Sequence, residues 1–298
     1  MNSLIITSIE QGLIFSVLAM GVYITYKILD IPDLSVEGTF PLGAFVFAKF
    51  IMMGINPILS TFLAFVSGLL GGLLTAVLFT KLRIKPLLSG ILTMTMLYSI
   101  NLRINGKSNI PLFQYDSIFD MGSNLLILIG IVLLVKIILD RFLKTEIGYL
   151  LIATGDNESL VKSLGQNSDK YKIIGLMIAN GLVAMSGAMM TQVQGFVDIT
   201  MGSSIIVVAL ASIIIGDTIR KNSETIKNTT RAILGAISYK IIGGIAIDLG
   251  LAPSDLRAIS AIIVIIFLSY NNFIPNIIVS RKKGDVKSVK NRKAVKEF

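Results

Sequence analysis

Four oxygen-bearing side chains alternate in "DLSVEGT": Asp33, Ser35, Glu37 and Thr39, bracketed by Pro32 and Pro41. The order Asp, aliphatic, hydroxyl, aliphatic recurs in "DITMGSS", which carries Asp198, Thr200, Ser203 and Ser204. Such groups can do two kinds of work. At a helix start, Asp33 or Ser35 caps free N–H groups, and Glu37 in the first turn is favoured by the helix dipole. Inside a membrane, carboxylates are expensive unless they face a cavity or a partner. Glu37 would then meet a cation such as the ammonium of an amino acid, or pair with Lys27, and both repeats would line a path for a solute. The spacing alone leaves capping and path open. With no His and no Cys, the chain is excluded from disulfide formation, imidazole or thiolate metal sites, cysteine nucleophiles and His-based triads. The 12 Met residues form no dense group of soft ligands.

The elements that position these residues are set by hydropathy. Over 298 residues, 53% are hydrophobic and 15% charged, with a mean hydropathy of +0.79. That composition belongs to a polytopic membrane protein rather than a soluble domain. Apolar runs of the length a bilayer requires predict spans near residues 4–27, 38–54, 57–80, 87–104, 121–143, 171–194, 203–219, 229–248 and 256–273. The first has no basic residue before it and no small-residue cleavage pattern after it, so it is expected to be a span rather than a removable signal. The segments starting near Glu37 and Ser203 are short and Gly-rich, which predicts interrupted or re-entrant helices.

Lys81, Arg83 and Lys85, then Lys144, Lys162, Lys170 and Lys172, then Arg220, Lys221 and Lys227, and finally the basic tail all fall on one side of an alternating path. By the positive-inside rule that side is the cytoplasm, which puts the C-terminus there and leaves the 105–122 loop outside. Arg103 and Lys107 run against the rule, with Asp116 and Asp120 nearby. The net charge of +9 is read as an orientation signal resting on anionic membrane lipids; no nucleic-acid motif or aromatic platform accompanies it. On this path the two Asp-containing breaks enter from opposite sides. The expected fold is therefore all-α and polytopic, about eight to ten transmembrane helices in two inverted repeats with interrupted helices. A transmembrane domain would cover 1–280, with halves near 4–104 and 171–273 around a loop at 144–170, and 281–298 would be a basic cytoplasmic tail. Gly68 with Gly72, and Ala184 with Ala188, are small-xxx-small pairs that predict close helix packing. Tyr23, Thr25, Thr93, Thr95, Tyr98, Asn101, Asn180, Gln192, Gln194 and Tyr239 either line a path or bond across helices.

The loop holds "GDNESLVKSLGQN". Asp156 or Asn157 can cap a helix of about two turns, with Glu158 in its first turn and Gly165 ending it. Leu160, Val161 and Leu164 form its apolar side, suited to a connector or to docking in a partner's groove.

This segment, preceded by "IGYLLIAT" and followed by "GLVAMSGAMM", resembles the coupling segment of ABC importer permeases of the branched-chain amino-acid, ribose and nucleoside type. "YKILDIPDLSVEGTFPLGA" resembles the N-terminal signature of a subgroup named for tryptophan or tyrosine transport. The resemblance runs from about Gly12 to Tyr270. It implies a non-catalytic subunit in a bacterial cell membrane that pairs with a second permease copy, as a homodimer, and receives an aromatic amino acid from an extracytoplasmic substrate-binding lipoprotein. A separate ATPase subunit would bind ATP and Mg below it. The coupling role then falls on Gly155, Asp156, Asn157, Glu158, Leu160, Leu164 and Gly165. The chain lacks the Glu-Ala-Ala run of the more familiar importer class. It also has no GxxxxGK[ST] phosphate loop, so no ATP site of the usual kind is expected within it. Two other readings compete: a nucleoside or other amino-acid cargo, and an ion-coupled secondary transporter using Asp33, Glu37, Asp217 or Asp248. A membrane protease fares worst. Gly216-Asp217 is half of an aspartyl motif, without the preceding Gly or a paired Tyr-Asp.

Overall fold

The computed structural model describes residues 2–219, 227–252, 255, 258–262 and 264–266. Ten helices account for most of them: α1 (Asn2–Tyr23), α2 (Val36–Met52), α3 (Pro57–Thr80), α4 (Pro86–Asn105), α5 (Asn124–Phe142), α6 (Glu146–Asp156), α7 (Glu158–Ser163), α8 (Ser168–Gln194), α9 (Ile205–Ile219) and α10 (Asn228–Asp248). Their starts follow local rules. Pro57 and Pro86 sit in the first turns of α3 and α4, where a missing N–H costs nothing. Asn56 and Asn167 accept the second N–H of α3 and α8. The only strands among the described residues, β1 (Asn109–Pro111) and β2 (Phe196–Asp198), pair antiparallel into a short ribbon, with Ile110 opposite Val197.

Six stretches are long and apolar enough to cross a membrane among the described residues: Leu4–Ile28, Pro57–Thr80, Pro86–Asn105, Ser168–Gln194, Ile199–Thr218 and Asn228–Asp248. Two further expected spans are helical but fall short of that standard. α2 has 17 residues, and α5 carries Lys136, Asp140 and Arg141 in its last two turns. The span expected at 256–273 lies largely outside the described residues. The protein is an all-α, multi-pass membrane protein.

The inverted repeat is visible in the packing. α1 lies antiparallel against α10, with Gly12 on Ile237 and Gly244 on Ser8. α8 lies antiparallel against α3, with Gly68 on Asn180 and Gly72 on Leu176. α2 packs on α3 as α9 packs on α10. α1 and α8, the corresponding helices of the two halves, themselves run antiparallel: Gly21 meets Ala179, and the Ser186 hydroxyl donates to the Ile14 carbonyl at 2.9 Å. Each is followed by a break that opens with the same turn. Asp33 Oδ1 accepts the backbone N–H of Ser35 at 2.9 Å and its hydroxyl at 2.5 Å. Asp198 Oδ1 accepts the N–H of Thr200 at 2.8 Å and its hydroxyl at 2.5 Å. The first break comes after α1 continues as a π-turn (Ile24–Ile28), and Pro41 interrupts the hydrogen-bond ladder inside α2.

α8 is the hub, and small residues make it so. A Cβ on Gly72 would run into the Leu176 carbonyl, and one on Gly43 into that of Ala184. The small-residue pairs predicted for close packing do serve that end. Replacing Gly72 by Ala should therefore push α3 off α8 and cost about 1–3 kcal/mol. Gly130→Ala, where a Cβ meets nothing within 4 Å, is the control. Thermal unfolding of the two variants in detergent should separate them, with Gly130→Ala at or above wild type.

Candidate translocation and coupling sites

Of the eight path candidates, the structure brings three to one cavity. Glu37 from the first turn of α2, with Thr200 and Ser203 from the 3₁₀ turn Ile199–Gly202 and its cap, line an open space of about 340 Å³ together with Pro41, Met94 and Tyr98. The approach is possible because Gly202 lies directly on the Glu37 carbonyl and the Pro41 ring. A carboxylate, two hydroxyls and an aromatic ring around one opening can meet a cation, hydrogen-bonding groups and an apolar surface on one small solute. Asn101, which also lines this cavity, donates through its amide to the Gly38 carbonyl at 3.2 Å, fastening α4 to α2 beneath it.

The other path candidates are elsewhere. Asp33, Ser35 and Thr39 are buried and bonded to Asn180 in the middle of α8. Asp198 sits in β2, capping Thr200 and accepting from the Asn109 amide at 3.1 Å. Ser204 takes a positive φ of 63° as the chain turns into α9. Lys27 does not reach Glu37. It pairs with Asp217 at 2.8 Å and ties the end of α1 to the end of α9. The other polar span residues mostly bond across helices: Thr75 to Thr93, Gln192 to Thr61, Asn228 to Tyr23 and Tyr239 to Ser260.

The coupling candidates split by orientation. Asn157, not Asp156, caps α7, accepting the Leu160 N–H at 3.1 Å, and Gly165 closes it at φ +74°. Val161 is fully buried, whereas Leu160 and Leu164 are 50% and 62% exposed. The predicted apolar side is thus divided: Val161 holds α7 to the bundle and the two leucines face outward. Asp156 is exposed and borders a cavity of about 550 Å³ shared with Lys27, Lys144 and Lys227. Gly155 is taken up in helix packing, since a Cβ there would collide with the Ile28 carbonyl of the π-turn. Glu158 bridges Lys162 and Lys172, both at 2.7 Å, and accepts from Ser168 at 3.0 Å. Lys172 and Ser168, on the following helix, were not legible as partners, because the turn between Ser163 and Ser168 breaks the helical register that would relate them to Glu158.

The family of branched-chain amino acid transport system permease components matches residues 4–270. The chain belongs to that family. It is 47% identical over 286 residues, 96% of each chain, to a tyrosine transport system permease protein of Clostridioides difficile. It is 37% identical over 274 residues to an uncharacterized protein of Rickettsia prowazekii, covering 90% of this chain and 97% of that one. Among solved structures it resembles PsaBC from Streptococcus pneumoniae in complex with Fab, with a TM-score of 0.52, 17% identity, and 89% and 90% of the two chains covered. That last likeness concerns the fold alone. Membership makes the protein an ABC-type permease for amino-acid transport.

The hydrogen bonds from Lys162 and Lys172 hold the Glu158 carboxyl down to about 2, from an ordinary value of 4.5. A carboxyl depressed on folding stabilises above its unfolded value, and that stabilisation is lost as pH falls toward the folded value. The protection of the α7 amides, taken relative to their intrinsic exchange at each pH, should therefore be steady above pH 4.5 and fall between that pH and 2, and Glu158→Gln should show the lower protection already at neutral pH.

Proposed function

We propose that this permease forms the membrane path of an importer for an aromatic amino acid, tyrosine before tryptophan. The observation that carries the reading is the cavity where the two interrupted segments meet, with Glu37 placed for an ammonium group and Tyr98 and Met94 for a side-chain ring. The high identity to a permease named for tyrosine transport supports the same cargo. The path needs only weak contacts, because a permease supplied by a binding protein must release its cargo, and tight binding in the pore would slow turnover.

Energy comes from a separate ATPase subunit that holds ATP and Mg. Its docking surface is the outward face of α6 and α7, where Leu160, Leu164 and Tyr149 are exposed beside Asn157 and Gly165. An extracytoplasmic binding lipoprotein delivers the cargo at the opposite end, and two copies of the chain complete the pathway as a homodimer. The C-terminal tail faces the cytoplasm.

The test is uptake into proteoliposomes holding the complex with its copurified ATPase and binding protein. Tyrosine, tryptophan, leucine and uridine would be compared. ATP-dependent accumulation of tyrosine is expected, and Glu37→Gln should lower it at least about tenfold while the ATPase stays bound. Accumulation without ATP, or wild-type uptake by Glu37→Gln, would contradict the reading. Leu160→Glu with Leu164→Glu should leave the bundle folded, since Val161 still anchors α7, and should sharply reduce the ATPase that copurifies.

A further inference from the structure

The buried residues beside the path raise a separate question. Asp33 is 3% exposed, and Ser35, Thr39 and Asn180 are fully enclosed. Asp33 Oδ1 takes the N–H and hydroxyl of Ser35, while its Oδ2 takes an N–H of the Asn180 amide at 2.8 Å. The same amide nitrogen donates to the Leu176 carbonyl at 3.1 Å. The Asn180 oxygen accepts from the Thr39 hydroxyl at 2.7 Å. The acceptor-only carboxylate fixes which way the amide faces. No ion pair among the described residues includes Asp33; its partners among them are the dipoles of Ser35 and Asn180.

Ser35 and Thr39 are four residues apart and share the face of α2 that meets α8. Glu37, two residues from each, is turned about 200° away, onto the face formed with Gly38 and Pro41 that borders the cavity. Fixing one face of this turn fixes the other.

We propose that Asp33 and Asn180 are a positioning pair. Their hydrogen bonds lock the first turn of α2 to the middle of α8, and thereby hold the Glu37 carboxylate at the cavity. Neither touches the cargo. The proposal rests on the reading of the cavity as the path.

The donor and acceptor pattern gives a sharp test, read as tyrosine uptake by the reconstituted complex. Asp33→Asn sets an N–H₂ group against the Asn180 N–H₂, and Asn180→Asp sets two carboxylates face to face. Each single variant should lose uptake about tenfold or more, because it leaves a buried polar group without its partner. The double variant D33N/N180D restores one donor facing one acceptor, and the carboxylate it introduces on α8 can still accept from Thr39. It should regain a large part of the activity, short of all, because the donor to Leu176 is not replaced.

Should the single variants fail to fold, Thr39→Val and Thr39→Ser isolate one bond of the same network. The valine substitution should raise the KM for tyrosine several-fold, whereas the serine substitution should keep it. Wild-type uptake by D33N, a folded double variant as inactive as the singles, or equal KM for T39V and T39S would each overturn the pair. Failure of the path reading is distinguishable, since Glu37→Gln would then transport normally. If Glu37→Gln is impaired and the swap gives no rescue, the positioning role alone falls.

Discussion

A chain that leaves helical geometry inside an apolar bundle must find partners for its backbone and polar groups there, since neither lipid nor neighbouring alkyl side chains supply them. The break after α1 meets that demand with few parts. The π-turn carries the Ile31 N–H to the Thr25 carbonyl, Asp33 takes the Ser35 N–H, and Asn180 closes the set from the facing helix. Most of what is distinctive in the structure follows from this. α2 can begin at the level of the middle of α8, its short length suffices, and its first-turn acid arrives at a cavity wall instead of the membrane surface.

The second break repeats the device with one difference. Asp198 makes the same turn with Thr200, but at the edge of the β1–β2 ribbon, with Asn109 as its outside partner. One half of the repeat therefore buries its aspartate and the other leaves it near the surface, so the two interruptions are alike in local chemistry and unequal in surroundings. The glycine contacts along α8 permit the approach, and ionic ties fasten the helix ends: Lys27 to Asp217, Lys227 to Asp140, and Lys172 to Glu158. Gly155 against Ile28 places the end of α6 on the π-turn, so α6 and the segment leading to Glu37 share a contact.

Much of this was readable from the residues. Pro57 in a first turn followed by an unbroken apolar run defines α3 as Pro57–Thr80, because both rules act locally. The α7 cap, the glycine that ends α7, and the Gly68 and Gly72 packing face were legible for the same reason. The roles of Asp33 and Glu37 were not. Both are acids in one short break, and which is buried depends on Asn180, whose distance in sequence carries no local signal. Lys27 illustrates the same limit: Glu37 and Asp217 are chemically equivalent partners, and only the packing of α9 beside α1 decides for Asp217. Gly155 looked like part of an exposed motif, yet its missing Cβ is occupied by the backbone of another helix.

The claim on which the account turns is that the two breaks line one aqueous cavity, and the chain's lack of cysteine makes this directly measurable. Single cysteines at Met94, Ser203 and, for comparison, Leu133 on the exposed apolar face of α5 would be treated with a small polar methanethiosulfonate reagent in membranes. The account predicts rapid modification at 94 and 203, slowed by tyrosine when the complete transporter is present, and little at 133. Positions 94 and 203 reacting no faster than 133 would contradict it.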